Sequence, residues 1–356
     1  MNVIGCTLRF LLFLVNAGVG VGFLICAYSP YLSPVSHPLW ACTGLLFPVF
    51  LSLNFLFFLF WLLWKRNYVW LPLLVFVAGW GAVRNYIPVN IAREPETETP
   101  IKLLTYNTWG MKTETDENGS KTNPVLNYLK GCGADIVCLQ EYPVNDKKIH
   151  KELVSVYPYI KSYSIAKGLG VACLSKYPIL ESELIRFPSA YNCSALFRLK
   201  MQDDTLAVVC NHLESNKLSS EDRKKYKELL KSPSEQQLTT SGRYLLRKYA
   251  EAVAVRAVQA DSVAQVIKNN RSHYMVVCGD FNDSPISYVH RVISKGLKDA
   301  YVEAGCGPGF SYNRNYFYFR IDHILTSDAF RVLDCRVDRS IRASDHYPVW
   351  CMLEKR

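Results

Sequence analysis

Asp, Glu, Lys and Arg are absent from three long stretches near the start of this chain: Phe10–Tyr28, Trp40–Trp64 and Tyr68–Val83. Runs without charge do not make an ordinary solvated surface, and about 20 apolar residues suffice to cross a bilayer. The first two runs meet that length. The third reaches it only by borrowing Arg84–Ile91. Trp40, Trp64, Tyr68 and Trp70 stand near run ends, where aromatic belts meet the membrane interface. No clear small-x-small cleavage site is present and two further runs follow, which argues against a removable signal peptide. About three transmembrane helices are therefore expected over residues 1–89. Asn16 and Asn54 lie mid-span as contacts between helices, and no intramembrane charge supports transport.

Other absences narrow the reading. No cysteine pair has zinc-site spacing. The cysteines beyond residue 100 are odd in number, and several sit in apolar runs (DIVCLQ, AVVCNH, VVCGD) as buried thiols. No internal repeat or low-complexity tract is present, so a repeat array is excluded. No long basic stripe with interleaved aromatics marks a nucleic-acid groove.

What is present is a net charge of +10, which favours anionic partners without choosing among them. Arg9 precedes the first run and Lys65-Arg66 separates the second from the third, whereas Ser29–Leu39 carries no Lys or Arg. The positive-inside rule puts the N-terminus and the Lys65-Arg66 turn in the cytoplasm. Three crossings then leave the rest of the chain on the non-cytoplasmic side of a multi-pass integral membrane protein. Two crossings would leave it in the cytoplasm, the face that reduced thiols favour.

Residues 90–100 (NIAREPETETP) read as a linker to a domain over 101–356. There, short strand-like runs flanked by turn residues alternate with helical stretches. Pro124–Gly131 fits a short helix and Tyr244–Lys268 a long one. Seven or more strands with a few helices imply an α/β two-sheet sandwich. Residues 216–243 are charged and Ser-rich, a solvated insertion or a flap over substrate. Tyr312–Phe319 (YNRNYFYF) reads as an edge strand or as a surface for bases or lipid.

One pattern recurs in the strands: an apolar run stops and a polar residue suited to metal or proton chemistry follows. Asn107 follows LLTY, Glu141 follows DIVCLQ, His212 and Glu214 follow AVVCN, and Asp280 and Asn282 follow VVCG. Asp322 and His323 follow Arg320-Ile321, and Asp345-His346 precede YPVW. Any one alone is an ordinary turn residue; packed sheets gather many strand ends at one rim. Phosphate ester hydrolysis uses such a set. Glu141, Asn107 and Asp345 offer oxygen to a hard divalent cation. Asp280 can hold or deprotonate a water, with Asn282 beside it. His346 or His212 can donate to developing negative charge, with Asp322 available to fix a tautomer.

TYNTWG, LQE, NHLES, GDFND, RIDHIL and SDHYPV, in this order, resemble the motif series of the endonuclease/exonuclease/phosphatase superfamily. LSKYPI and RAVQA add to the likeness, which spans roughly residues 100–354. The resemblance implies a DNase-I-like, four-layer α/β sandwich with its active site at one rim and Mg²⁺ or Mn²⁺ as cofactor. It implies Glu141 as principal metal ligand with Asn107 and Asp345 nearby, Asp280 and Asn282 as the water-orienting pair, His346 with Asp322 as the catalytic histidine pair, and His212 as a phosphate-binding histidine.

His323 stands where relatives often carry Tyr and is expected to be structural. Asp283 reads as a turn residue, Glu214 as a rim charge, and Arg256 as packing and pairing on its helix. The function expected is a membrane-anchored phosphoesterase with a nucleic-acid or phospholipid substrate. The competing class is an inactive, membrane-tethered module that binds a phosphate ligand.

Overall fold

Leu103 and Leu104 point to opposite faces of one strand, and both are fully buried, each in a different apolar cluster. Strands covered on both faces must read as near-continuous apolar runs. The computed structural model describes residues 3–356 apart from 97–98, 116–118, 120, 167, 217–218, 232–233, 235–237 and 315–316. The reading of 216–243 falls in part outside the described residues.

Two six-stranded sheets form the domain. The first runs β15 (Phe330–Val337), β16 (Val349–Lys355), β1 (Ile101–Asn107), β4 (Ile136–Pro143), β6 (Leu169–Ser175), β5 (Tyr159–Ala166). The second runs β11 (Lys298–Asp299), β14 (Asp322–Thr326), β10 (Tyr274–Asp280), β9 (Asp204–His212), β8 (Ser194–Met201), β7 (Ile179–Ile185). Two short pairs complete the strands: β2 (Glu114–Thr115) with β3 (Lys121–Thr122), and β12 (Tyr312–Arg314) with β13 (Phe317–Phe319).

Leu103, Cys138, Val208 and Val276 fill the space between the sheets. The outer face of the first sheet, with Leu104 and Val137, packs on Val125, Leu129 and Leu153 of helices Pro124–Gly131 and Lys147–Val154. The outer face of the second, with Ala207 and Val277, packs on Ala260, Val263 and Ile267 of the long helix Arg243–Asn269. Helix, sheet, sheet and helix make four layers, as the motif series implies.

Cysteines take part in this packing. Cys138, Cys173, Cys210 and Cys278 are buried between the sheets, and all twelve cysteines are free thiols. Parallel pairing then sets the rim. β1 pairs with β4 and β9 with β10 in parallel, so four strand ends finish on one side of the sandwich.

Two N-terminal helical stretches, Cys6–Tyr31 and Pro38–Trp64, are long and apolar enough to cross a membrane. The third expected span is not one continuous helix. Its run forms two short helices, Trp70–Ala78 and Trp80–Tyr86, parted at Gly79. An added Cβ at Gly79 would lie 2.3 Å from the Phe23 ring, so close packing on the first helix requires a glycine there. Glycine is a poor helix former, and the helix divides at that point. Trp61 donates to Asn16, and Asn54 to the Pro72 carbonyl, so both mid-span amides join helices. The outward faces stay apolar, with Phe10, Leu56, Leu63, Leu74 and Val77 among the exposed residues.

These helices are held to the sandwich at one end. Ile286 packs among Phe23, Phe47 and Val75. Arg291 donates to the Pro30 carbonyl, and Arg84 pairs with Glu303, both at 2.8 Å. The expected linker is not loose: Asn90 donates to the carbonyls of Val302 and Gly305, and the Arg93 amide to Leu333.

Candidate active site

Strand register brings the expected residues together. Asp280 is the β-partner of His212 on one side and of Asp322 on the other. Asn107 is paired with Gln140, one residue before Glu141. Gly279 makes the close approach possible. Its φ is 127°, and a Cβ there would lie 2.1 Å from the Asn211 carbonyl oxygen. Glu141 and Asn282 both adopt left-handed backbone, φ 52° and 53°. Such conformations in non-glycine residues carry strain and cluster where side chains must be aimed.

Asp280 is buried at the centre. Its Oδ1 accepts from the Asn282 amide at 2.8 Å, and its Oδ2 accepts from Asn107 Nδ2 at 3.0 Å and Asn282 Nδ2 at 3.2 Å. Asn107 Nδ2 also reaches Glu141 Oε1 at 3.3 Å, while its own Oδ1 accepts from the Trp109 amide. Asn107 thus meets the two carboxylates through its nitrogen. His346 Nδ1 donates to Asp322 Oδ2 at 2.8 Å, which leaves Nε2 facing Asp280 Oδ2 at 3.7 Å. His212 Nε2 lies 3.9 Å from both Asp280 Oδ2 and Glu141 Oε1.

Burial sets the proton affinities. It pushes the Asp280 carboxyl up to about 6, against the pull of His346. Burial works against a charged His346, yet Asp322 and Asp280 outweigh it and raise that imidazole to about 10. Burial lowers His212, which favours its neutral form. Glu141 is raised by burial, and the like charge of Asp345 adds to the rise.

Several residues beneath the site differ from the sequence expectation. Asp283 is not a solvated turn residue: it is buried, with Oδ2 3.5 Å from Arg256 Nε. Glu214 is not a rim charge: it is buried, accepts from Ser189 and Gln259, and its amide donates to Gln259. Arg256 pairs beyond its own helix, donating to the Glu214 carbonyl and to Asn216. These groups form one polar brace under the loops that carry His212 and Asn282. The pieces NHLES, RAVQA and GDFND contain it, but spacing along a chain does not show that they meet.

Three further contributors lacked a sequence signal. Ser311 Oγ accepts from the Asp322 amide, Ser344 Oγ accepts from the His346 amide, and Leu45 reaches the site from near the start of the apolar stretch Pro38–Trp64. His323 is buried and structural, with Nε2 2.9 Å from the Asp283 carbonyl. The stretch Tyr312–Phe319 forms the β12–β13 hairpin, and its Tyr312 ring packs edge-on against His346.

Carboxylates, amides and imidazoles converging at the open ends of two packed sheets define a phosphoesterase-type rim. The chain belongs to the Endonuclease/Exonuclease/phosphatase family, whose model matches residues 104–346. Residues 9–86 match a second model, described as a domain of unknown function. The inositol phosphosphingolipids phospholipase C of Schizosaccharomyces pombe is 26% identical over 226 residues, 60% of this chain and 48% of that protein. Its Saccharomyces cerevisiae counterpart is 25% identical over 245 residues, 57% of this chain and 46% of that protein. The chain therefore spans about half the length of these curated relatives.

Among solved structures, ANGEL2, a 2′,3′-cyclic phosphatase in complex with adenosine-2′,3′-vanadate, aligns over 73% of this chain and 97% of that one (TM-score 0.51, 14% identity). The human Nocturnin catalytic domain with bound sulfate aligns over 72% and 95% (TM-score 0.50, 15% identity). These two likenesses show the fold.

Proposed function

We propose that this chain is a membrane-anchored phosphodiesterase that hydrolyses a phospholipid by in-line attack of water. One observation carries the choice of lipid over nucleic acid. A cavity of about 520 Å³ runs from Asp280, Asn282, His212 and His346 to an apolar end lined by Leu45, Tyr226, Leu229, Leu245, Leu246 and Tyr249. Leu45 belongs to the second candidate spanning stretch, Pro38–Trp64, so the apolar end adjoins the membrane part of the molecule. An acyl or sphingoid chain fits such a wall. The names of the two yeast relatives support the same class.

Enzymes of this family generally depend on divalent metal. The residues here suit a hard cation: Glu141 and Asp345 supply carboxylate oxygen, and a bound cation would offset the burial that raises the half-buried Glu141. Glu141, with Asp345 beside it, would hold Mg²⁺ or Mn²⁺, which when bound polarises a phosphoryl oxygen.

The chain's own groups divide the remaining work. At neutral pH Asp280 is a carboxylate, and its hydrogen bonds from Asn107 and Asn282 fix it as the acceptor that holds the attacking water. His346 carries its proton on Nε2 with Nδ1 tied to Asp322, and donates to negative charge as the P–O bond to the leaving alcohol breaks. Neutral His212 donates to a phosphoryl oxygen. Two titratable groups held apart in this way take distinct acid and base roles.

The helix arrangement supports a catalytic domain on the non-cytoplasmic side. Lys65-Arg66 follows directly after the second spanning stretch, whereas Pro30 and Leu45, at the other end, meet the sandwich. Protease shaving of intact cells tests this; a protected domain refutes it.

The functional test uses the full-length protein in vesicles. Phospholipid hydrolysis that needs Mg²⁺ or Mn²⁺ and stops with EDTA is expected, with little turnover of plasmid DNA. Efficient DNA cleavage without lipid hydrolysis overturns the reading.

A further inference from the structure

Beside Glu141 and Asp345 the cavity wall changes character. Trp109 leaves β1 with φ 48°, followed by Gly110 at 75° and Met111 at 49°. Two non-glycine residues in the left-handed region within three positions mark a reversal held against strain. It keeps the indole on the cavity wall. Two cations stand against this one ring. Lys112 Nζ lies 3.1 Å from the ring centroid, and the Arg314 guanidinium carbon lies 4.2 Å from it. Arg314 comes from the β12–β13 hairpin, far away in sequence, so two separate segments bring positive charge to the same place. Arg314 Nη1 forms an ion pair with Asp345 Oδ2 at 3.8 Å, longer than a hydrogen bond. Lys112 is exposed, and the Arg314 side chain keeps 40% of its exposure.

The cavity thus has two unlike walls. The apolar wall, with Leu45, Leu245 and Leu246, lies on the side of the membrane helices and the 216–243 insertion. On the β1 side the lining is the Trp109 indole, against whose ring Lys112 and Arg314 stand. An amphiphile with its phosphate between them places its chain on the first and its headgroup on the second.

We propose that Trp109, Lys112 and Arg314 form a headgroup subsite that selects phospholipids with an uncharged or anionic polyhydroxylated headgroup and rejects quaternary ammonium headgroups. This rests on the phospholipid reading above. An aromatic face attracts a quaternary ammonium only while it is free to act as the cation's partner. Here that role is filled twice, and a third positive charge meets repulsion. Hydroxyl and phosphate oxygens find the opposite: an exposed ammonium, and a five-donor guanidinium fork that its 3.8 Å ion pair with Asp345 leaves able to donate. Charge-assisted hydrogen bonds of this kind change binding by roughly ten- to a hundredfold.

The test compares phosphatidylinositol with phosphatidylcholine at equal mole fraction in vesicles carrying the full-length protein. The wild type is expected to favour phosphatidylinositol in kcat/KM by about tenfold or more. Lys112→Gln and Arg314→Gln are each expected to lower that ratio, chiefly through KM for the inositol lipid, and Arg314→Lys to restore part of it. A wild-type preference for the choline lipid, or equal losses on both lipids in the variants, overturns the subsite. Hydrolysis of bis-p-nitrophenyl phosphate with no turnover of either lipid instead overturns the phospholipid reading beneath it.

Discussion

Two buried His–Asp pairs lie in the same domain with the same contact distance. His346 Nδ1 meets Asp322 Oδ2 at 2.8 Å, and His290 Nε2 meets Asp299 Oδ2 at 2.8 Å. Only the first opens on the cavity. Bonding through Nδ1 leaves the far nitrogen of His346 aimed at Asp280, whereas His290 spends that far nitrogen on its aspartate. Asp299 also caps the helix Ala300–Ala304, accepting from the Tyr301 and Val302 amides. On the proposed mechanism the first pair hands a proton outward, whereas the second fastens a helix to a sheet. A histidine beside an aspartate says little until it is known which nitrogen is left over and what it faces.

The largest test of this difference is His346→Ala, expected to lower kcat by about 10³-fold with the fold retained, a loss typical of removing a positioned acid or base. A drop below about tenfold would put the chemistry elsewhere. Asp322→Asn should follow with roughly a 10²-fold loss and an altered basic limb of the pH–rate profile, because the tautomer and proton affinity of His346 both depend on that carboxylate. His290→Phe should do the reverse. Asp299, left buried with its helix amides and His323 but without its His290 bond, should cost about 3 kcal/mol of stability in denaturant unfolding, while kcat per folded molecule stays within about twofold. Loss of activity without loss of stability would erase the distinction drawn here.

Acidification separates the two pairs more gently. Asp280 is raised to about 6, so hydrolysis should fall as pH drops through that value, steepened by Glu141, which is raised as well. A raised group stabilises the fold most below its unfolded pKa, so protonating Asp280 does not unfold the protein. Asp299 lies well below its usual range: burial opposes this, and the bond from His290 with the pull of His323, 3.8 Å away, prevails. A depressed carboxylate contributes stability above its unfolded pKa, near 4, and loses it below. Between about pH 4 and 6 the protein should therefore stay folded by circular dichroism yet lose activity reversibly. Parallel loss of both would show that one group governs both.

Much of the site was legible in the sequence because its chemistry sits at strand ends. Parallel pairing of β9 with β10 brings His212 and Asp280 to one rim with Asn282 just beyond, and His346 reaches it from the residues before β16. The four layers were legible for the same reason, since strands buried on both faces leave long apolar runs. Asp283 was misread because its partner, Arg256, is on another element, and a turn residue and a buried anion look alike in isolation. The third apolar run was overestimated as a single helix because hydropathy does not register that Gly79 lies against Phe23. Leu45 was invisible as a site residue, since nothing in an apolar stretch long enough to span a membrane announces which of its residues will wall a cavity.

That leucine has a kinetic consequence. On the reading proposed here, the enzyme and its substrate share one leaflet, and the cavity is entered from it. The concentration that governs turnover is then a surface density, the mole fraction of substrate among neighbouring lipids, and not an amount per volume. Diluting the vesicles should leave the rate per enzyme unchanged, while diluting the substrate with inert lipid should slow it. One residue near the start of a membrane stretch would thereby let a fold found in a cyclic phosphatase search in two dimensions.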